Sequence, residues 1–156
     1  MRIALGTDHS GFAMKSELIA YMESIGLTVI DHGSFTPERV DFPDIARLVG
    51  ESLRSGEADR GIMLCGSGIG AAIAANKIPG IRACVCHDTY SAHQGVEHDD
   101  MNVLCIGGKI IGLWLAQEVV SAFVRAEFSK GDYFRRRLKK LDQLEWDYAK
   151  QLVERE

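Results

Sequence analysis

IMLCGSGIGAAIAANK, residues 62–77, runs from an apolar stretch through a cysteine and three alternating glycines into an alanine-rich segment. That order predicts a strand, a tight turn and a helix. Gly66, Gly68 and Gly70 carry no Cβ, so the backbone can turn sharply there and aim its N–H groups at a ligand, with the helix dipole favouring negative charge. Cys65 stands at the mouth of the turn, where a thiol is expected to have a lowered pKa and thiolate character. It reads either as a base or nucleophile beside an anion cradle or as the last buried residue of a strand, and the glycines that follow favour the first.

The same alternation continues in both directions. Upstream, residues 2–7 (RIALGT) predict a buried strand, and DHSG opens a helix through about residue 25, with Leu18, Ile19, Met22 and Ile25 as its apolar stripe. A strand over 27–31, a polar segment with Pro37 and Pro43, and a helix over 44–55 precede the strand at 61–64. Downstream, a strand is expected at 82–86, then a short helix capped by Asp88 that leaves His98 and Asp99 in a loop. A fifth strand at 103–106 leads to an amphipathic helix at 113–127 with Ala116, Val120 and Phe123 on one face.

Strands alternating with helices imply a single α/β domain: a doubly wound, Rossmann-like sheet of five parallel strands with helices on both faces. Ligands of such sheets bind beyond the carboxyl ends of the strands, where Asp8, His9, Cys65, the glycine turn and His98 are expected to converge. Residues 1–127 form this core. Residues 128–156 add a helix, about 134–153, whose Leu141, Leu144, Tyr148 and Leu152 recur at helical spacing and are expected to pack on a partner subunit.

The chain has 156 residues, 46% of them apolar, enough for one ordinary core. No apolar run approaches the roughly 20 residues of a membrane span, and the strand pattern starts at the N-terminus, so a cytoplasmic protein is expected. A net charge of −4 speaks against general nucleic-acid binding. Cys65, Cys84, Cys86 and Cys105 lack CxxC spacing, which speaks against structural zinc and a disulfide framework; Cys84 and Cys86 read as core residues on one strand face.

The glycine turn has look-alikes. Gly66, Gly68 and Ala71, with Asp88 further on, satisfy a dinucleotide fingerprint, but that fingerprint belongs after a first strand, and here it follows the third. No Gly-Lys-Ser/Thr completes a P-loop, and Ala71 stands where a cysteine phosphatase has arginine. His87, His93, His98, Asp99 and Asp100 match no metal signature and read as a solvated polar segment. The basic run Arg135, Arg136, Arg137, Lys139 and Lys140 is either a solvated helix face or, beside another subunit's anion site, a phosphate clamp.

Four motifs together, GTDHSGFAMK, DFPD, CGSGIGAAIAANKIPGIRA and HDDMNVLCIGGKIIG, resemble the ribose-5-phosphate isomerase B family, which includes the galactose-6-phosphate isomerase subunits. The resemblance runs from residue 2 to about 141. It implies aldose–ketose isomerisation of a sugar phosphate through a cis-enediolate, with no metal and no cofactor, in a homodimer whose active sites lie between subunits; whether dimers pair into tetramers stays open. By position, Cys65 corresponds to the catalytic base, while a second branch of the family uses a glutamate where this chain has Ile69. Ser67 and the backbone from Gly66 to Gly70 (Gly66, Gly68, Ile69 and Gly70) correspond to the enediolate cradle. Asp8 and His98 correspond to residues that engage the sugar and open its ring, and His9 and Arg137 to phosphate contacts, Arg137 reaching across the dimer.

Asp99 stands where relatives often have asparagine, Lys109 where many have arginine, and Tyr133-Phe134 where many have Arg-His. A carboxylate accepts hydrogen bonds but does not donate them when ionised, and lysine offers a compact charge in place of a bidentate fork. The resemblance implies ribose 5-phosphate to ribulose 5-phosphate as the expected reaction, and these departures make galactose, allose and tetrose phosphates the alternative substrates. A nucleotide-binding redox domain and a non-catalytic sugar-phosphate sensor are the alternatives from other classes.

Overall fold

The computed structural model describes residues 1–154. Its elements in chain order are β1 (Arg2–Thr7), α1 (Phe12–Ser24), β2 (Thr28–Asp31), α2 (Phe42–Arg54), β3 (Arg60–Cys65), α3 (Ile69–Ala75), β4 (Ala83–Val85), α4 (Thr89–Asp99), β5 (Val103–Gly107), α5 (Leu113–Arg125) and α6 (Asp132–Val153). All five strands are parallel, in the order β2-β1-β3-β5-β4. Parallel crossovers are right-handed, so the direction in which each strand is added decides which face its helix covers. Accordingly α1, α4 and α5 pack around Ile3, Leu5, Ile62, Leu64, Leu104 and Ile106, while α2 and α3 pack around Ala4, Met63, Cys65, Val103 and Cys105. The architecture is the single-domain α/β fold that the alternation predicts.

Three elements differ from expectation. α2 begins at Phe42 because Pro43, which has no N–H to leave unpaired, fits the first turn. β4 spans only three residues on the sheet edge, so Cys86 is buried while Cys84 is exposed rather than part of the core. α4 does not stop short of His98: the Asp88 carboxylate accepts from Ser91 N at 2.7 Å, and the helix runs on through Asp99 until Asp100, at φ 50°, takes the left-handed cap.

Lys15 is a charge buried on α1. Its Nζ lies 2.6 Å from Asp31 Oδ2, donates to Ser34 O at 2.7 Å and sits under the Phe35 ring, pinning the segment after β2 beside the end of β1. At the other extreme, α6 leaves its apolar stripe uncovered, from 44% exposure at Leu141 to 68% at Leu152. Among the described residues no helix is long and apolar enough to cross a membrane.

Candidate active site

Side chains alternate between the two faces of a strand, and that parity brings the reactive pair together. On β3, Ile62 and Leu64 face one way and Met63 and Cys65 the other. Thr7 pairs with Leu64, so Asp8 and Cys65 come level one residue further on, at the carboxyl ends of β1 and β3. These two strands flank the point where the order of strand addition reverses, the crevice in which doubly wound sheets bind ligands. The Cys65 Sγ–H donates to Asp8 Oδ2 at 3.0 Å. Asp8 Oδ1 accepts from the N–H groups of Ser10, at 2.8 Å, and Gly11, at 3.1 Å. Both residues of the pair are buried.

The glycine turn closes over the thiol. Gly68 adopts φ +81°, and a Cβ there would lie 3.3 Å from the Ile106 carbonyl carbon. The N–H groups of Gly68 and Gly66 favour the thiolate, yet burial first, and then the Asp8 carboxylate as hydrogen-bond acceptor and as a charge, push the Cys65 pKa up. The lowered pKa expected from the glycines alone is thus overturned by the carboxylate that strand pairing places beside the sulfur. Ser67 Oγ accepts from Ile69 N at 3.3 Å. Lys109 N donates to Gly66 O at 3.1 Å, and its side chain passes over Gly66. Ile69 is exposed beside the turn, and His9 is half-buried with Nδ1 unpaired. Phe42 packs its ring about the position of a Cβ on Gly70, at 3.0–3.2 Å, a contact the sequence reading missed although DFPD contains the residue.

His98, Asp99 and Arg137 lie elsewhere. α4 leaves the carboxyl end of β4 and runs back toward the amino end of β5, so its last turn sits at the opposite end of the sheet from Cys65. The expectation that His98 joins the carboxyl-end group is corrected by the length of this helix. His98 Nδ1 lies 2.8 Å from Gln94 Nε2, and its ring packs on Phe134 at 4.8 Å. Asp99 lines a cavity of about 410 Å³ with Arg82, Cys84 and Leu141. Arg137 extends over the Tyr133 ring at 4.0 Å. α6 is tied to this end through Ser129 N to Glu97 O and Gly80 N to Glu145 Oε2. One chain therefore carries two groups of candidate residues: Asp8, His9, Cys65, Ser67, the glycine turn and Lys109 at one end, and His98, Asp99 and Arg137 at the other.

Asp88 commits one oxygen to the N–H and the other to the hydroxyl of Ser91, where a dinucleotide site would need its carboxylate on a ribose. Among the described residues no three His, Cys, Asp or Glu side chains gather as metal ligands.

A buried thiol donating to a carboxylate under a glycine turn, at the switch point of a parallel sheet, is a candidate active site of the α/β enzyme class. The family model described as Ribose/Galactose Isomerase matches residues 3–141, and the chain belongs to that family of sugar-phosphate isomerases. Ribose-5-phosphate isomerase B of Escherichia coli (strain K12) is 44% identical over 135 residues, covering 86% of this chain and 91% of the relative. D-erythrulose-4-phosphate isomerase of Pectobacterium atrosepticum is 41% identical over 133 residues, covering 84% of this chain and 87% of the relative. The solved structure of Clostridium thermocellum ribose-5-phosphate isomerase B matches with a TM-score of 0.92 at 43% identity, covering 95% of this chain and 99% of that one.

Proposed function

We propose that this protein is a cytoplasmic, metal-independent aldose–ketose isomerase that interconverts ribose 5-phosphate and ribulose 5-phosphate, with Cys65 as the base. The observation that carries this reading is the Cys65 thiol held on Asp8 at 3.0 Å beneath the N–H groups of Gly66 and Gly68. A proton beside a carbonyl is removed only when a positioned base and stabilisation of the developing oxyanion act together, and this end of the sheet supplies both. Asp8 takes the thiol proton as the thiolate removes the C2 hydrogen of the open-chain aldose. The resulting cis-enediolate rests its negative charge on the turn, with Ser67 beside it, and Lys109 adds a cation. Proton return from the Cys65 thiol to C1, with the O2 hydroxyl proton passing to O1, gives the ketose, and Asp8 holds its proton ready to restore the thiol.

Ring opening and phosphate binding need further groups. The His98 imidazole has one nitrogen that can donate and one that can accept, which suits proton transfer to the ring oxygen. Arg137 and His9 hold the phosphate, and Asp99 accepts from a sugar hydroxyl. Since His98, Asp99 and Arg137 sit at the opposite end of their own sheet from Cys65, the working site joins one end of one subunit to the other end of its partner in a homodimer. The uncovered stripe of α6 supports such packing.

A second reading keeps the chemistry and shortens the sugar. Phe134 occupies the space beside His98 with an uncharged ring, which favours a substrate that reaches less far, such as a tetrose phosphate. Proton NMR in deuterated water, with wild type and Cys65→Ala in parallel, tests both. Ribulose 5-phosphate formation with C2 exchange in wild type, absent from the variant, is the expected result. Turnover only on four-carbon phosphates selects the second reading, and inertness across four- to six-carbon sugar phosphates overturns both.

A further inference from the structure

We propose that His87 is a positioning residue for the isomerisation: through Gly107 it holds the platform on which the glycine turn rests. The inference rests on the functional reading above. β4 ends at Val85, and two residues later the His87 imidazole reaches across to β5, where Nε2 accepts from the Gly107 N–H at 2.9 Å. The ring proton is thereby assigned to Nδ1, leaving Nε2 as the acceptor of a neutral imidazole. Gly107 is the register partner of Cys65, so Asp8, Cys65, Gly107 and His87 form one row across the carboxyl ends of four strands.

The platform touches the turn directly. A Cβ on Gly107 would lie 2.8 Å from the carbonyl carbon and oxygen of Ser67, and one on Gly68 would lie 3.4 Å from Gly107 N. Gly108 N donates to Cys65 O at 2.8 Å and Lys109 N to Gly66 O at 3.1 Å, so the two residues that follow Gly107 are bonded to both residues at the start of the turn. The Gly107 N–H is buried with the imidazole as its acceptor, and a buried backbone donor that loses its partner drives the backbone to move until it finds another. Any such movement passes to Ser67 and Gly68. His87 itself touches no reacting atom, so its loss lowers turnover and leaves phosphate binding, which other residues supply, nearly intact.

The test compares wild type, His87→Ala and His87→Gln, whose amide oxygen keeps an acceptor, by steady-state kinetics on the preferred sugar phosphate. In parallel, ¹⁵N NMR of the full-length protein reads the coupling between the Gly107 amide nitrogen and His87 Nε2. Displacements below 1 Å at a reacting centre cost up to about 100-fold, so kcat of His87→Ala should fall about 10- to 100-fold with KM within about threefold, and His87→Gln should recover most of the loss. The coupling should be present in wild type. Its absence there overturns the proposal without reference to any variant, including one that fails to fold. An active wild type with an equally active His87→Ala overturns the proposal alone, as does a folded His87→Gln no better than alanine. A wild type inert toward every sugar phosphate overturns the functional reading and takes this proposal with it.

Discussion

Two inactive variants should restore each other. Cys65→Ala lacks the proposed base, and His98→Ala lacks the group proposed to open the sugar ring. The eleven residues of α4 rise by about 16 Å at 1.5 Å per residue, and they carry the chain away from the carboxyl edge where Cys65 lies. If each site of a twofold dimer takes Cys65 from one subunit and His98 from the other, a mixed dimer has one site with both lesions and one with neither. Random reassembly from an equal mixture makes about half of the dimers mixed, so about one quarter of all sites should be wild type in composition. The assay is co-refolding of the two variants, followed by isomerase activity per total protein. Heterodimers isolated through two different affinity tags should show about half of wild-type activity. A mixture no more active than its two components measured separately would refute the reasoning, because the site would then be complete within one chain.

The remaining predictions concern the platform, the thiol and one surface pair. Gly107→Ala places a Cβ 2.8 Å from the Ser67 carbonyl; relief of that overpacking should cost about 1–3 kcal/mol, read as a fall in melting temperature of roughly 2–4 °C per kcal/mol. kcat should fall with it, whereas Gly108→Ala, with 3.4 Å to its nearest neighbour, should leave kcat almost unchanged. Because burial and Asp8 raise the Cys65 pKa, iodoacetamide alkylation of Cys65, followed by mass spectrometry, should accelerate only above the pH at which a free cysteine reacts. The folded chain holds that proton more tightly than the unfolded one, so the associated stability is complete below the ordinary thiol pKa and is lost as pH rises through the folded value. Asp59, held down to about 2 chiefly by the Arg2 guanidinium, works in the opposite sense: its contribution is present at neutral pH and lost as pH falls toward about 2. The pair is largely exposed, so Asp59→Asn should cost under about 1 kcal/mol in urea melts at pH 7 and less at pH 2.

β1 and β3 are legible because their apolar runs are bounded by a charged residue and a glycine turn, and α3 because alanines follow those glycines. Strand order was not: nothing in the local pattern tells β5 to insert between β3 and β4. The Cys65 pKa was misread because the sequence displays the glycines beside the sulfur but not the carboxylate 57 positions away that β-pairing brings within 3.0 Å. His98 was misplaced for a different reason. HDD reads as polar coil, yet its histidine and first aspartate close a capped helix, and the direction of a helix decides which end of a sheet its last turn reaches. Cys84 and Cys86 share a face, but only the strand's place at the edge exposes one of them.

The parity of β1 and β3 also governs how this protein can change. The thiol and carboxylate meet because each is an even number of residues from the core positions Met63 and Ala4 on the same face. Inserting or deleting one residue between Met63 and Cys65 would turn the sulfur toward the α1, α4 and α5 side and away from Asp8. Substitution is far less constrained at the Ile69 side chain, which stands exposed at the rim. Variants with new sugar preferences are therefore to be sought by exchanging rim side chains, while the lengths of these two strands behave as fixed quantities.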